Sequence, residues 1–338
     1  MLWSNVAVIS EIPTPEDFAR SSLTLLNLAW SVGMDIVREL DESDIDQWDA
    51  DGDVTDEYWR QSQPALSNAL ALIQQGQEMA LKGKIAAVSP YLLIGRDPRD
   101  WPRRCEREDA SFSMFRTADA ADLVKIHNTV CSPPLRLSEG FEAFFDEVRR
   151  QRNAIIHAGG AGRRVDVAEL FLNVLLTNEY LHPGARWAER RRVHLENDRI
   201  SVAFSSDHVG YVMLKEFDIA ARLLKPMENK RFFGLTRARR YLCPHCQYEA
   251  RDSDELIPLA HLVLSGPSAT AISCFVCGHT TSVARKACTE VNCRSNVICA
   301  EPKWGAICLV CHSDQDQARD DDYHPPEGLF LGCRRVTD

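Results

Sequence analysis

The sequence predicts a mainly α-helical protein whose C-terminal part gives way to small β-rich modules. Three observations predict it. Apolar residues recur at three- and four-residue steps in several stretches between positions 23 and 181. Ten of the twelve cysteines lie between Cys243 and Cys333, most of them in short pairs. Between these regions the texture changes: Ile200–Ser205 reads as a strand, and Tyr211–Met227 mixes strand and helix signals.

A chain of 338 residues has room for two or three domains, and 45% apolar residues is ordinary for a folded soluble protein. No apolar run approaches the length of a membrane span, so no membrane partner is expected. The N-terminus turns acidic at once without a basic region, which makes a poor signal peptide and a cytoplasmic protein the expectation. The net charge of −10 is unevenly spread. Residues 1–59 hold two Lys/Arg against fourteen Asp/Glu, whereas residues 147–194 hold nine Arg against five acids. The local field matters more to a charged substrate than the whole-chain sum, so a nucleic-acid partner is not excluded.

Residues 1–20 read as an irregular lead-in punctuated by Pro13 and Pro15. A helix is expected from Leu23 to Leu40, followed by an acidic loop over 41–57. That loop alternates acids around Gly52, but its spacing fails the calcium-loop pattern, and it reads as a solvated connection. A second helix, from about Gln63 to Val88, carries Leu66, Leu70, Ile73, Ala80 and Leu81 as its stripe, and Pro90 ends it. Glu78 lies beside that stripe, with two readings open: a surface pair with Lys82, or a partner for a buried arginine or substrate. Arg96–Ser111 is a basic loop in which Trp101 either packs or stacks on a base.

The stretch Ser138–Ala158 organises the rest. Phe141, Phe144, Phe145, Val148 and Ile155 form one helical face, with Arg152 in its middle. Asp146, Arg150, Asn153 and His157 form a polar ridge beside it, and Gly159-Gly160 stops the helix. An arginine on a core-facing stripe is costly unless it is paired or opens onto a cleft. Arg152-Asn153-Ala154-Ile155-Ile156-His157 resembles the Arg-(x4–6)-His motif of the HEPN superfamily, polar residue after the arginine included. Pro64–Gly95 is similar to the long opening helix of that family's bundle, and Phe115–Arg136 to its connecting helix. The resemblance spans about residues 15–190. It implies a HEPN-like helical bundle, placed at 1–195, acting as a metal-independent endoribonuclease on RNA. Catalysis would fall to Arg152, Asn153 and His157 at a site shared by two copies in a homodimer, and Arg152 would face the partner copy. Cleavage by the RNA 2′-hydroxyl would leave a 2′,3′-cyclic phosphate, in a host-defence or toxin-type system. The alternatives are a non-catalytic HEPN module that binds RNA or nucleotide, and an adaptor.

Val165–Leu181 is a further helix. Arg186–Val193 follows, an arginine cluster with one tryptophan. The cluster reads either as a helix face paired with Glu189 or as a phosphate-binding surface, since arginine is the preferred planar partner of phosphate; on the second reading Arg190 and Arg191, with Glu78 and Arg150, are the expected substrate contacts. Residues 196–240 read as a mixed α/β joint.

Cys243-Pro-His-Cys246 and Cys274-Phe-Val-Cys277 are two Cys-x2-Cys knuckles separated by 27 residues. Thiolates so spaced converge on one tetrahedral ion, which assigns residues 241–284 to a first zinc ribbon. Cys288, Cys293, Cys308 and Cys311 make a second set over 285–315, in which Cys299 or His312 is an alternative ligand. Two structural zinc ions are therefore expected, both closed to substrate, with no catalytic metal. Such ribbons bind nucleic acid or protein, and the acidic, polar stretch 312–327, running into the tail 316–338, disfavours a purely nucleic-acid role for the far end.

Overall fold

The computed structural model describes residues 8–43, 49, 51–95, 97–157, 164–197, 206–236, 238–251, 253–264, 266 and 268–315, without the side chains of 156, 157 and 206–208. The chain is mainly helical, with its strands concentrated in a small cysteine-rich region near the C-terminal end. It forms two compact units, Met1–Ala185 and Arg186–Asp338.

The first unit is built on two long helices. Helix α1 runs over Pro15–Glu42. It starts earlier than the apolar stripe suggests because Thr14 and Asp17 close a capping box and Pro15 takes the first helical position, where its missing N–H costs nothing. Helix α2 runs over Asp53–Ala86 and passes through Pro64, where the sequence reading began it. Part of the acidic loop is its entry. The Asp49 carboxylate accepts the amides of Val54 and Thr55, at 3.3 and 2.8 Å, and Asp53 and Asp56 sit in the first turn, where the helix dipole favours acids.

Helices α3 (Ala120–Val130), α4 (Glu139–His157) and α5 (Val167–Leu181) complete the bundle. Trp30, Leu66, Leu70, Ile73, Leu81, Phe141, Phe145 and Phe171 fill its core. Gly33 lets α1 and α5 approach closely: a β-carbon there would meet Phe171 at 2.7 Å. The Gln63 side chain accepts from the Val165 amide at 2.7 Å and donates to the Val165 carbonyl, fixing the chain just before α5. A short parallel pair, β1 (Ile9–Ser10) with β2 (Ala110–Ser111), secures the N-terminal segment.

The second unit begins with α6 (Trp187–Glu196), α7 (Ser206–Leu223) and α8 (Pro226–Phe233). The expected strand over 200–205 lies outside the described residues. Tyr211–Leu223 is wholly helical, and the expected joint is instead part of this unit's core: Phe217 of α7, Phe233 of α8 and Phe275 of the second knuckle form one aromatic cluster, with centroids 4.5 to 5.9 Å apart. The arginine-bearing α6, read as the end of the first domain, belongs to this unit.

A short helix, α9 (Pro244–Glu249), and four strands follow: β3 (Ala260–Leu262), β4 (Ala271–Cys274), β5 (Thr280–Ala284) and β6 (Ile298–Cys299). They pair antiparallel in the order β3-β4-β5-β6. Val283 pairs with Cys299, so the two expected ribbons share one sheet rather than forming separate modules.

Candidate functional site

Helix α4 starts at Ser138, whose hydroxyl accepts the Phe141 amide at 3.2 Å. Its first turns bury Phe141, Phe145 and Val148. Phe141 packs on Tyr180 of α5 at 5.4 Å, and Phe144 stacks on the same ring. One turn later the buried face turns polar, but at Gln151 rather than Arg152. Gln151 is buried and donates to Glu147 at 2.9 Å and to Glu169 of α5 at 2.8 Å. The sequence reading missed Gln151 because an uncharged amide on a helix surface raises no alarm.

Arg152 is half-buried. Its Nη1 donates to Asn153 Oδ1 at 2.9 Å, and its Nε is covered and has no hydrogen-bond partner among the described residues. Arg149, one turn earlier, repeats the pattern: one terminal nitrogen meets Asp146 at 3.1 Å and its Nε is covered and unpartnered. His157 closes the helix, but its side chain lies outside the described residues. Ile155 lines a small cleft with Leu70, Gln151, Arg164 and Glu169.

Of the other expected contacts, Arg150 and Glu78 lie in the first unit and Arg190 and Arg191 in the second. Arg150 is exposed and pairs with Glu147 on its own helix. Glu78 is half-buried and accepts from Gln74, while Lys82 donates to Thr117 at 3.1 Å rather than to Glu78. Arg190 belongs to the second unit, half-buried, with its Nε covered. Arg191 is a correction: it is 3% exposed and held in an ion pair with Glu216, so its charge is not presented to a substrate. The Trp101 indole donates to the Gly95 carbonyl at 2.8 Å and packs edge-on to Phe115.

The cysteines do converge. Cys243 caps α9 and Cys246 lies in its first turn, while Cys274 ends β4 and Cys277 sits in the turn that follows. That turn closes through a bond from the Gly278 amide to the Cys274 carbonyl at 2.8 Å. Gly278 has φ +79°, and a β-carbon on it would strike the Arg186 guanidinium. Within this quartet the Cys243 and Cys277 sulfurs are 3.6 Å apart, and those of Cys246 and Cys274 3.7 Å. In the second quartet Cys288 and Cys311 are 3.7 Å apart, and Cys293 and Cys308 3.8 Å. Every donor atom in each quartet lies within 4.8 Å of the others. A disulfide needs about 2 Å. Sulfurs about 2.3 Å from a central tetrahedral ion sit about 3.8 Å from each other. Both quartets therefore have the spacing of metal sites and not of disulfides.

The four thiols of the first quartet compete for the same hydrogen bonds. Hydrogen bonds from Cys243, Cys246 and Cys274 pull the Cys277 thiol far below its ordinary range. The Cys246 thiol is driven well up by its bonds to the other three and by burial. Four thiolates this close repel, and a divalent cation removes that conflict. Cys299 is buried in β6, with its amide bonded to the Ile307 carbonyl, and neither it nor His312 joins the second quartet.

No described helix is long and apolar enough to cross a membrane. No protein-family model, curated protein or solved structure matches the chain.

Proposed function

We propose that the first unit is a HEPN-type endoribonuclease domain and that both cysteine quartets hold zinc. One observation carries the catalytic half. Arg152 lies half-buried on the helix that His157 closes, its guanidinium oriented by Asn153 and its Nε covered but unspent. A guanidinium oriented in this way suits an anion that arrives late in a reaction.

RNA brings its own nucleophile, the 2′-hydroxyl. His157 takes the hydroxyl proton or returns one to the leaving 5′-oxygen, work for which imidazole suits near-neutral pH. Arg152 stabilises the charge that builds on the phosphorane, and Asn153 holds Arg152 in place. The products are a 2′,3′-cyclic phosphate and a 5′-hydroxyl. In a homodimer a second α4 completes the site. Four thiolates saturate zinc, so each ion folds its module and the cleavage needs no metal. The wider setting we propose is host defence or a toxin-type system in the cytoplasm, with the cysteine region as sensor or docking module.

The test is incubation of purified protein, in EDTA, with labelled single-stranded RNA and the matching DNA, beside His157→Ala and Arg152→Ala. The expected result is cleavage of RNA alone, a cyclic phosphate end, and two inactive variants. RNA left intact, or variants as active as the parent, sinks the catalytic reading.

A further inference from the structure

Four rings from three separate parts of the second unit form a continuous row beside the first cysteine quartet. His245 and His279 stack face to face, with centroids 3.8 Å apart and planes 7° from parallel. Trp304 meets His245 at 4.9 Å, and Tyr248 meets Trp304 at 5.6 Å. The row is open to solvent at both ends: Tyr248 is 50% exposed and His279 is also exposed. Packing of the module interior does not explain it, since the interior is filled by Leu259, Ile272 and Val276.

Cations border the row. Lys303 lies over the Trp304 ring at 4.4 Å, and Arg251 over Tyr248 at 4.8 Å. Arg186 rests on the knuckle at Gly278, next to His279, held by a bond to the Phe275 carbonyl at 3.0 Å. Neither Lys303 nor Arg186 has a carboxylate partner among the described residues. Glu301, the acid that acts on His245, accepts the Ser282 amide at 3.0 Å. A ring row exposed at Tyr248 and His279 and edged by Lys303 and Arg186, which have no paired acid among the described residues, matches one polymer: a chain of flat bases joined by phosphates.

We infer that this row is a docking surface for single-stranded nucleic acid, with bases stacking on Tyr248, Trp304 and His279 and phosphates meeting Lys303, Arg186 and Arg251. Single strands are selected because bases in a duplex are already stacked and cannot lie on the rings. The inference goes beyond the cleavage reading and does not depend on it, because it stands on other residues and on binding alone.

Fluorescence anisotropy tests it with the full-length, metal-loaded protein. The probes are a labelled 2′-O-methyl RNA of about 12 nucleotides, which no 2′-hydroxyl mechanism can cut, the DNA of the same sequence, and its duplex. The single strands should bind more tightly than the duplex, and the RNA and DNA arms distinguish the two sources of the same chemistry. Tyr248→Ala and Trp304→Ala should each weaken binding about 10-fold or more, and Tyr248→Phe should retain it. Lys303→Gln and Arg186→Gln should each flatten the salt dependence by about one charge. Metal content is read for each variant, and the exposed Tyr248 carries the test if Trp304→Ala loses metal. Absent binding, equal binding of duplex, Tyr248→Ala binding like the parent, or preference for an acidic peptide over the oligonucleotides would overturn the inference. None of these outcomes bears on whether α4 cuts RNA.

Discussion

Arg191 and Glu216 form a two-pronged ion pair in the interior of the second unit, with nitrogen–oxygen distances of 2.8 and 2.6 Å. Their side chains are 3% and 9% exposed. The pair ties α6 to α7, and its desolvation means that breaking it is worse than never having made it. Glu216→Ala should destabilise the second unit by about 3–5 kcal/mol, because it strands a buried guanidinium. Arg191→Met combined with Glu216→Leu should recover most of that loss. Urea unfolding of the two variants checks both statements, and equal losses would contradict the account.

The uneven legibility of the sequence follows from how local each cause is. The cysteine quartets were readable because four thiolates in two close pairs allow little else. Helix α4 was readable from Phe141, Phe145 and Val148, whose spacing is the burial pattern itself. The start of α2 was not, because Pro64 looks like a first-turn residue and the acids before it look solvated. Only the Asp49 bonds to Val54 and Thr55 reveal that the acids enter a helix. Tyr211–Leu214 is a short apolar run whose period fits strand and helix alike, and the contact of Phe217, later on the same helix, with Phe275, far along the chain, decides it. The ring row was invisible for the same reason, since Tyr248, His279 and Trp304 meet only once the knuckles fold.

Metal content should track the quartets one by one. Cys243→Ser should remove one equivalent of bound metal, and Cys308→Ser the other. Cys299→Ser should remove none, although Cys299 is buried among the ligands in sequence. Elemental analysis of the purified variants measures this directly. Because β5 and β6 join the two modules in one sheet, either loss should also lower the thermal midpoint of the second unit as a whole. Loss of metal from Cys299→Ser would return it to the ligand set.

Stability should fall in mild acid through His127. It is 2% exposed, and burial lowers its pKa below the ordinary 6.5 despite its hydrogen bond to Asn128. The Asn128 carboxamide in turn holds both the amide and the carbonyl of Leu137, just ahead of α4. The unfolded chain then binds a proton near pH 6.5 that the folded one does not. This contribution is therefore complete above about pH 6.5 and shrinks as pH falls towards the folded pKa. The stability gap between the parent and His127→Gln should narrow from about pH 7.5 to about pH 5.5. A gap that is constant, or that widens in acid, would show that His127 is not held neutral.

Arg152 separates a catalytic role from a structural one. A guanidinium paired inside a core costs about 3–5 kcal/mol when removed. Arg152 has no carboxylate partner among the described residues, its one bond is to the neighbouring Asn153, and its Nε is covered without an acceptor. Arg152→Met keeps the length and the packing of the side chain and removes that unsatisfied donor. It should therefore shift stability by no more than about 0.5–1 kcal/mol. If the proposed cleavage is right, the same change should lower the rate about 100- to 1,000-fold, the usual cost of deleting a donor to transition-state charge. Asn153→Ala frees the guanidinium without removing it and should cost less. Calorimetry alongside single-turnover RNA cleavage reads both effects. A large loss of stability from Arg152→Met would make the arginine part of the scaffold, and the rate effect would then say nothing about chemistry.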